Sequence, residues 1–141
     1  MLHYLWPILV VIGANTLYNI SAKSTPGNVN PFASLLITYL VSAVFALIMF
    51  FATSHTKNIV SELSKANWTS VALGFAIVAL EVGYIYIYRV GWKVSVGSLV
   101  ANIGLACVLL LAGIIFYKEA VSFRQIVGMA VCAVGLVLIS K

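Results

Sequence analysis

Aspartate is absent from this chain, and three glutamates, Glu62, Glu81 and Glu119, supply all of its side-chain acid. Eight lysines and arginines and two histidines accompany them in 141 residues that are 63% hydrophobic. So little polar surface cannot cover a soluble domain of this length, and the chain belongs in lipid. No glycine-rich phosphate loop is present, His3 and His55 stand alone without metal-ligand spacing, and no nucleophile, base and orienting group recur at a usable spacing. These absences point away from an enzyme, a metal centre, any cofactor and a machine driven by nucleotide hydrolysis. The two cysteines, Cys107 and Cys132, fall inside apolar runs, where a thiol behaves as a small buried apolar group rather than a disulfide partner. The formal charge of +5 would suggest nucleic acid in a soluble chain, but here the basic residues lie mostly at the ends of apolar runs or between them. Snorkelling to lipid head groups accounts for them, and no nucleic-acid partner is expected.

What is present is a series of long hydrophobic stretches. A membrane-spanning helix needs about 20 mostly apolar residues, and five runs meet that length: Tyr4–Ala22, Pro31–Thr53, Thr69–Val90, Ser95–Tyr117 and Ser122–Ser140. The expected fold is an all-α integral membrane domain over 1–141. The first run is read as an uncleaved span, because Met1–Tyr4 carries no basic residue and Asn15 and Asn19 interrupt the apolar sequence that follows. Asn30 before Pro31 is a start signal for the second span, and Ser122 with Gln125 has capping-box spacing at the start of the fifth. The 84–88 stretch alternates tyrosine and isoleucine like a strand, yet a lone strand in lipid would strand its backbone groups, so it is read as helix. Trp6, Trp68 and Trp92 fall at span ends, as interfacial anchors do. Between Ser54 and Trp68, Ile59, Val60 and Leu63 share a face turned from Lys57 and Lys65, which suits a short surface helix, with an unstructured loop as the alternative. The four-residue link Gly91–Val94 makes the third and fourth spans an antiparallel hairpin.

Glu81 lies midway along the third span. An ionisable group at that depth costs roughly 2.5–3.5 kcal/mol on insertion scales, so its presence marks a candidate functional site. On a helix Glu81, Tyr84 and Tyr88 occupy positions i, i+3 and i+7 of one stripe. Asn15 and Asn19 form a polar stripe on the first span that Lys23 continues to the membrane edge, Ser95, Ser98 and Asn102 form one on the fourth, and Thr38, Tyr39 and Ser42 add polar groups on the second. The expectation is that these stripes converge on one cavity. There a carboxylate exchanges protons for a small cationic substrate, and tyrosine faces attract it. Two other roles for Glu81 stay open: a protonated carboxyl hydrogen-bonded to Asn15, Asn19 or Asn102 as structural glue, and an ion pair with Arg89 or Lys23.

Charge also bears on assembly. With five spans, Lys57, Lys65, Lys118 and Arg124 fall on one membrane face and Lys23, Arg89, Lys93 and Lys141 on the other, four against four. Nothing in that count orients the chain. Five helices enclose little volume, whereas two inverted copies make a pseudo-two-fold site of the kind found in transporters, so a homodimer, antiparallel in one reading, is expected. Gly128, Cys132 and Gly135 supply a smooth stripe on the fifth span for close helix approach, either at the dimer interface or within one subunit.

The layout resembles one five-helix unit of the EamA-type drug/metabolite transporter superfamily. The resemblance covers essentially the whole chain and rests on Asn15, Asn19 and Lys23 followed by Pro31 near the start. At the end it rests on the 113–119 segment from Gly113 to Glu119, with Ser122, Gln125, Gly128 and Gly135. It implies pairing of two units in inverted topology and, by likeness to the smaller small multidrug resistance proteins, a membrane glutamate shared by proton and cation. Those relatives carry the glutamate on the first helix; here the first span has no acid and Glu81 is on the third, so the likeness is one of chemistry. The fourth span has Asn102, Ile103 and Gly104 where many EamA units carry a proline. The implied function is secondary transport in a prokaryotic plasma membrane, exporting small cationic or amphipathic metabolites or drugs against protons. A lipid-carrier flippase subunit and a non-transporting membrane partner protein are the alternatives.

Overall fold

A computed structural model describes the backbone at residues 2–54 and 57–140 and the side chains at 5–54, 57–135, 137 and 138. His55 lies outside the described residues, as do the side chains of His3 and Lys141. The chain is 83% helix, with no strand among the described residues. The helices are α1 (Leu2–Ser24), α2 (Pro31–Thr53), α3 (Ile59–Leu63), α4 (Trp68–Arg89), α5 (Val94–Tyr117) and α6 (Phe123–Ser140). Four of these, α1, α2, α4 and α5, are long and apolar enough to cross a membrane, as in a multi-pass membrane protein. The last predicted span is also helical, with an apolar helical stretch described over Phe123–Gly135.

Local chemistry sets the boundaries. The Asn30 side chain accepts a hydrogen bond from the Phe32 backbone N–H at 2.9 Å, with Pro31 at the first helical position, where its missing N–H is no loss. At α6 the capping box closes in both directions. The Gln125 N–H donates to Ser122 Oγ at 3.3 Å, and the Ser122 N–H donates to Gln125 Oε1 at 2.8 Å. The 84–88 stretch lies within α4, so backbone satisfaction prevails over its alternating pattern. Between Ser54 and Trp68 the described residues form the short helix α3, capped by Asn58, whose side chain accepts from the Ser61 N–H at 3.2 Å. Lys65 Nζ donates to Glu62 Oε1 at 2.7 Å across its end.

The chain divides into two compact units, Met1–Arg89 and Val90–Lys141. In the N-terminal unit α4 packs against both α1 and α2. Its interior is thin: Leu35, Ile85 and Tyr88 are buried, with Asn19 the buried polar residue. The apolar side chains otherwise face outward, as at Leu9, Ile37 and Val41, each about two-thirds exposed (66%, 67% and 64%). Such a surface is untenable in water and ordinary against hydrocarbon.

In the C-terminal unit α5 packs on α6. The turn after α5 is tightly specified. Lys118 takes the left-handed conformation at φ 52°, and the Lys118 and Glu119 N–H groups both donate to the Gly113 carbonyl. The Glu119 carboxylate folds back over Gly113, where a β-carbon would stand 2.7 Å from Oε2. The spacing of Gly113 and Glu119 therefore has a local cause in a helix stop that returns over its own last turns. On α6, Gly128 and Gly135 look into open space and Cys132 is exposed, so the small-residue stripe lies uncovered.

Candidate functional site

The site is built on one face of α4. A helix places residues three, four and seven apart on one side, and on α4 that side carries Glu81, Tyr84, Ile85 and Tyr88, all buried or half-buried. At its C-terminal end the Tyr88 hydroxyl donates to Asn19 Oδ1 on α1. The Asn19 amide nitrogen in turn donates to the Asn15 carbonyl at 2.7 Å and to Asn15 Oδ1 at 2.8 Å. Both ends of the Asn19 amide are thereby committed, which fixes its orientation in a position only 4% exposed. Lys23 extends the α1 stripe: its Nζ donates to the Tyr88 carbonyl at 3.3 Å and lies 5.8 Å from the centre of the Tyr88 ring.

Tyr84 continues the contact between the two helices. Its ring meets Tyr18 edge-on at 5.4 Å between centroids and tilts against Tyr88 at 6.1 Å. Arg89, at the end of α4, reaches the loop between α1 and α2, donating through Nη2 to the carbonyls of Pro26 at 3.1 Å and Val29 at 2.5 Å. Neither basic residue is engaged with Glu81. Within the described residues of the N-terminal unit Glu81 makes no ion pair, and no hydrogen bond joins it to Asn15 or Asn19.

Glu81 instead faces a half-open recess of about 110 Å³ between three helices. From α1 and its end come Tyr18, Ser21, Ala22 and Thr25; from α2 come Ser34, Leu35 and Thr38; from α4 come Glu81 and Ile85. One carboxylate is thus ringed by five hydroxyl-bearing side chains in a bundle whose other surfaces are overwhelmingly apolar. The Thr25 hydroxyl donates to the Ser21 carbonyl and the Thr38 hydroxyl to the Ser34 carbonyl, each at 3.2 Å. The Tyr18 hydroxyl is shielded and has no hydrogen-bond partner among the described residues.

The candidate residues thus fall into distinct places. Glu81 lines the recess, while Asn15, Asn19, Tyr84 and Tyr88 form the clamp beside it. The Tyr39 ring lines a different hollow on the α2–α4 surface, with Val71, Gly74 and Phe75 among its neighbours, while its shielded hydroxyl lies within electrostatic reach of Glu81 and Tyr18. Ser98 and Asn102 lie in the C-terminal unit, where the Asn102 amide donates to the Ser98 carbonyl at 2.8 Å and to its hydroxyl at 3.2 Å. Tyr18, Ser21, Thr25 and Ser34 are recess residues that the sequence reading did not single out. Their signal was present, since Tyr18, Ser21 and Thr25 recur at three- and four-residue intervals. Among the described residues no group of histidine, cysteine and carboxylate side chains could hold a metal ion. No protein-family model, curated protein or solved structure matches the chain.

Proposed function

We propose that this protein is a secondary transporter that exchanges small cationic or amphipathic metabolites for protons, with Glu81 as the shared binding site. The observation that carries the reading is the placement of Glu81. A carboxylate on a membrane-length helix faces a hydroxyl-lined recess and makes no ion pair among the described residues of its unit. A charge kept in the apolar layer without a structural counter-ion is costly, and a mobile cation or proton is the partner that offsets the cost. Tyr84, Tyr88, Asn15 and Asn19 hold α1 against α4 beside the recess, and the Tyr39 hydroxyl on α2 lies within electrostatic reach of Glu81.

On this reading α6 crosses a prokaryotic plasma membrane together with α1, α2, α4 and α5, and two copies pair as a homodimer, antiparallel as the balanced charge allows. The α6 stripe of Gly128, Cys132 and Gly135 lies at the interface. The protein acts in the manner of an EamA-type unit, without cofactor and without enzymatic turnover. The test is transport by purified protein in liposomes under a proton gradient, across a panel of organic cations and amino-acid-like metabolites, with Glu81→Gln alongside. Proton-driven flux lost in the variant supports the reading. Equal flux in both proteins makes Glu81 structural, and silence in both favours a flippase subunit or a non-transporting partner.

A further inference from the structure

We infer that the Glu81 recess takes a primary ammonium head group and excludes quaternary ammonium. The inference rests on the reading of Glu81 as a cation site and specifies the chemistry that site selects. Its first support is size. At about 110 Å³ the half-open recess lies far below the roughly 300–1,000 Å³ of pockets for drug-sized ligands, so it suits a small head group. A trimethylated nitrogen is a compact ball close to benzene in bulk, whereas an –NH₃⁺ group is little larger than water.

The second support is the direction of the available hydrogen bonds. A hydroxyl has one proton and two lone pairs. Thr25 and Thr38 have committed their protons to the carbonyls of Ser21 and Ser34, so toward a ligand each can only accept. Glu81, when ionised, also only accepts. The recess thus presents acceptors from three sides, Thr25 beyond α1, Thr38 on α2 and Glu81 on α4, beside the hydroxyls of Tyr18, Ser21 and Ser34, which can donate as well as accept. A primary ammonium brings three N–H donors that must be satisfied once water is stripped away. A quaternary ammonium brings none and gains only charge attraction from the same groups.

The third support is the scarcity of aromatic faces. Quaternary ammonium recognition relies on cages of several rings. Tyr18 is the one aromatic side chain lining this recess, and its neighbour Tyr84 is spent edge-on against it. Ala22, Leu35 and Ile85 supply apolar wall for a short alkyl tail.

The test compares n-butylammonium with n-butyltrimethylammonium, which share tail and charge, by calorimetric titration of the full chain in lipid nanodiscs. Butylammonium is expected to bind at least about tenfold more tightly, the scale of a lost charge-assisted hydrogen bond. Thr38→Val, which removes one acceptor at nearly constant shape, should weaken butylammonium roughly tenfold and leave the trimethylated ligand unchanged. Equal or tighter binding of the trimethylated ligand, lost in Glu81→Gln, would overturn the inference while leaving Glu81 a cation site. Absence of Glu81-dependent binding by either ligand would overturn both. The wild-type comparison of the two ligands decides the question even if a variant fails to fold.

Discussion

The Tyr88 hydroxyl donates to the side-chain oxygen of Asn19, joining α4 to α1 at one of the most enclosed points of the N-terminal unit. Asn19 completes the connection by donating to Asn15 one turn earlier. Lys23 caps it from the membrane edge, and Tyr84 continues it toward Tyr18 and the recess. The clamp holds one wall of the recess in place, so its loss should reach Glu81 through geometry rather than through charge.

Tyr88→Phe keeps the ring against Tyr84 and removes only the donor. Hydrogen bonds between membrane helices contribute about 0.6 kcal/mol on average and up to about 1.7 kcal/mol. A cycle of Tyr88→Phe, Asn19→Ala and the double variant, followed by unfolding in bicelles, should give a coupling of about 1 kcal/mol, in the upper part of that range because both groups are buried. Additive losses would show that the contact is not a clamp.

The turn after α5 offers an independent check. Lys118 occupies left-handed backbone, which costs a side-chain-bearing residue roughly 1 kcal/mol and glycine little. Lys118→Gly should therefore stabilise the helix stop by about 0.5–1 kcal/mol in thermal unfolding. Lys118→Ala should bring no such gain, and equal effects of the two would contradict the backbone assignment.

Much of the helical frame was legible because its signals are local. Asn30 with Pro31 and Ser122 with Gln125 announce helix starts within four residues, and the structure closes both caps as their spacing requires. Glu81, Tyr84 and Tyr88 were readable as one stripe for the same reason. Which surface of α1 meets Glu81 was not readable. That helix carries two polar stripes, one through Asn15, Asn19 and Lys23 and another through Tyr18 and Ser21 that Thr25 continues just past its end, and only packing assigns the first to the clamp and the second to the recess. Thr38 and Tyr39 make the same point, since adjacent helical residues point about 100° apart. Thr38 lines the recess and Tyr39 a separate hollow. Between Ser54 and Trp68 the apolar period is too brief to fix a helix length, and α3 is a single turn.

Orientation in the membrane follows from charge. With the five crossings proposed above, four basic residues fall on each face and should let the chain insert both ways, so a C-terminal tag on the unaltered protein should be accessible from both sides in comparable amounts. Ser61→Lys with Ser64→Lys adds two charges at exposed positions around α3 and should draw that face to the cytoplasm in most molecules. One fixed orientation in the unaltered chain would contradict dual insertion and, with it, antiparallel pairing.

One carboxylate that serves proton and cation in turn must give up its proton when a cation binds. The most direct measurement is proton release on ligand binding, followed with a pH indicator in weakly buffered, purified protein as n-butylammonium is added. Acidification is expected to saturate with binding and to disappear in Glu81→Gln. Binding without proton release, or equal acidification by the variant, would contradict it.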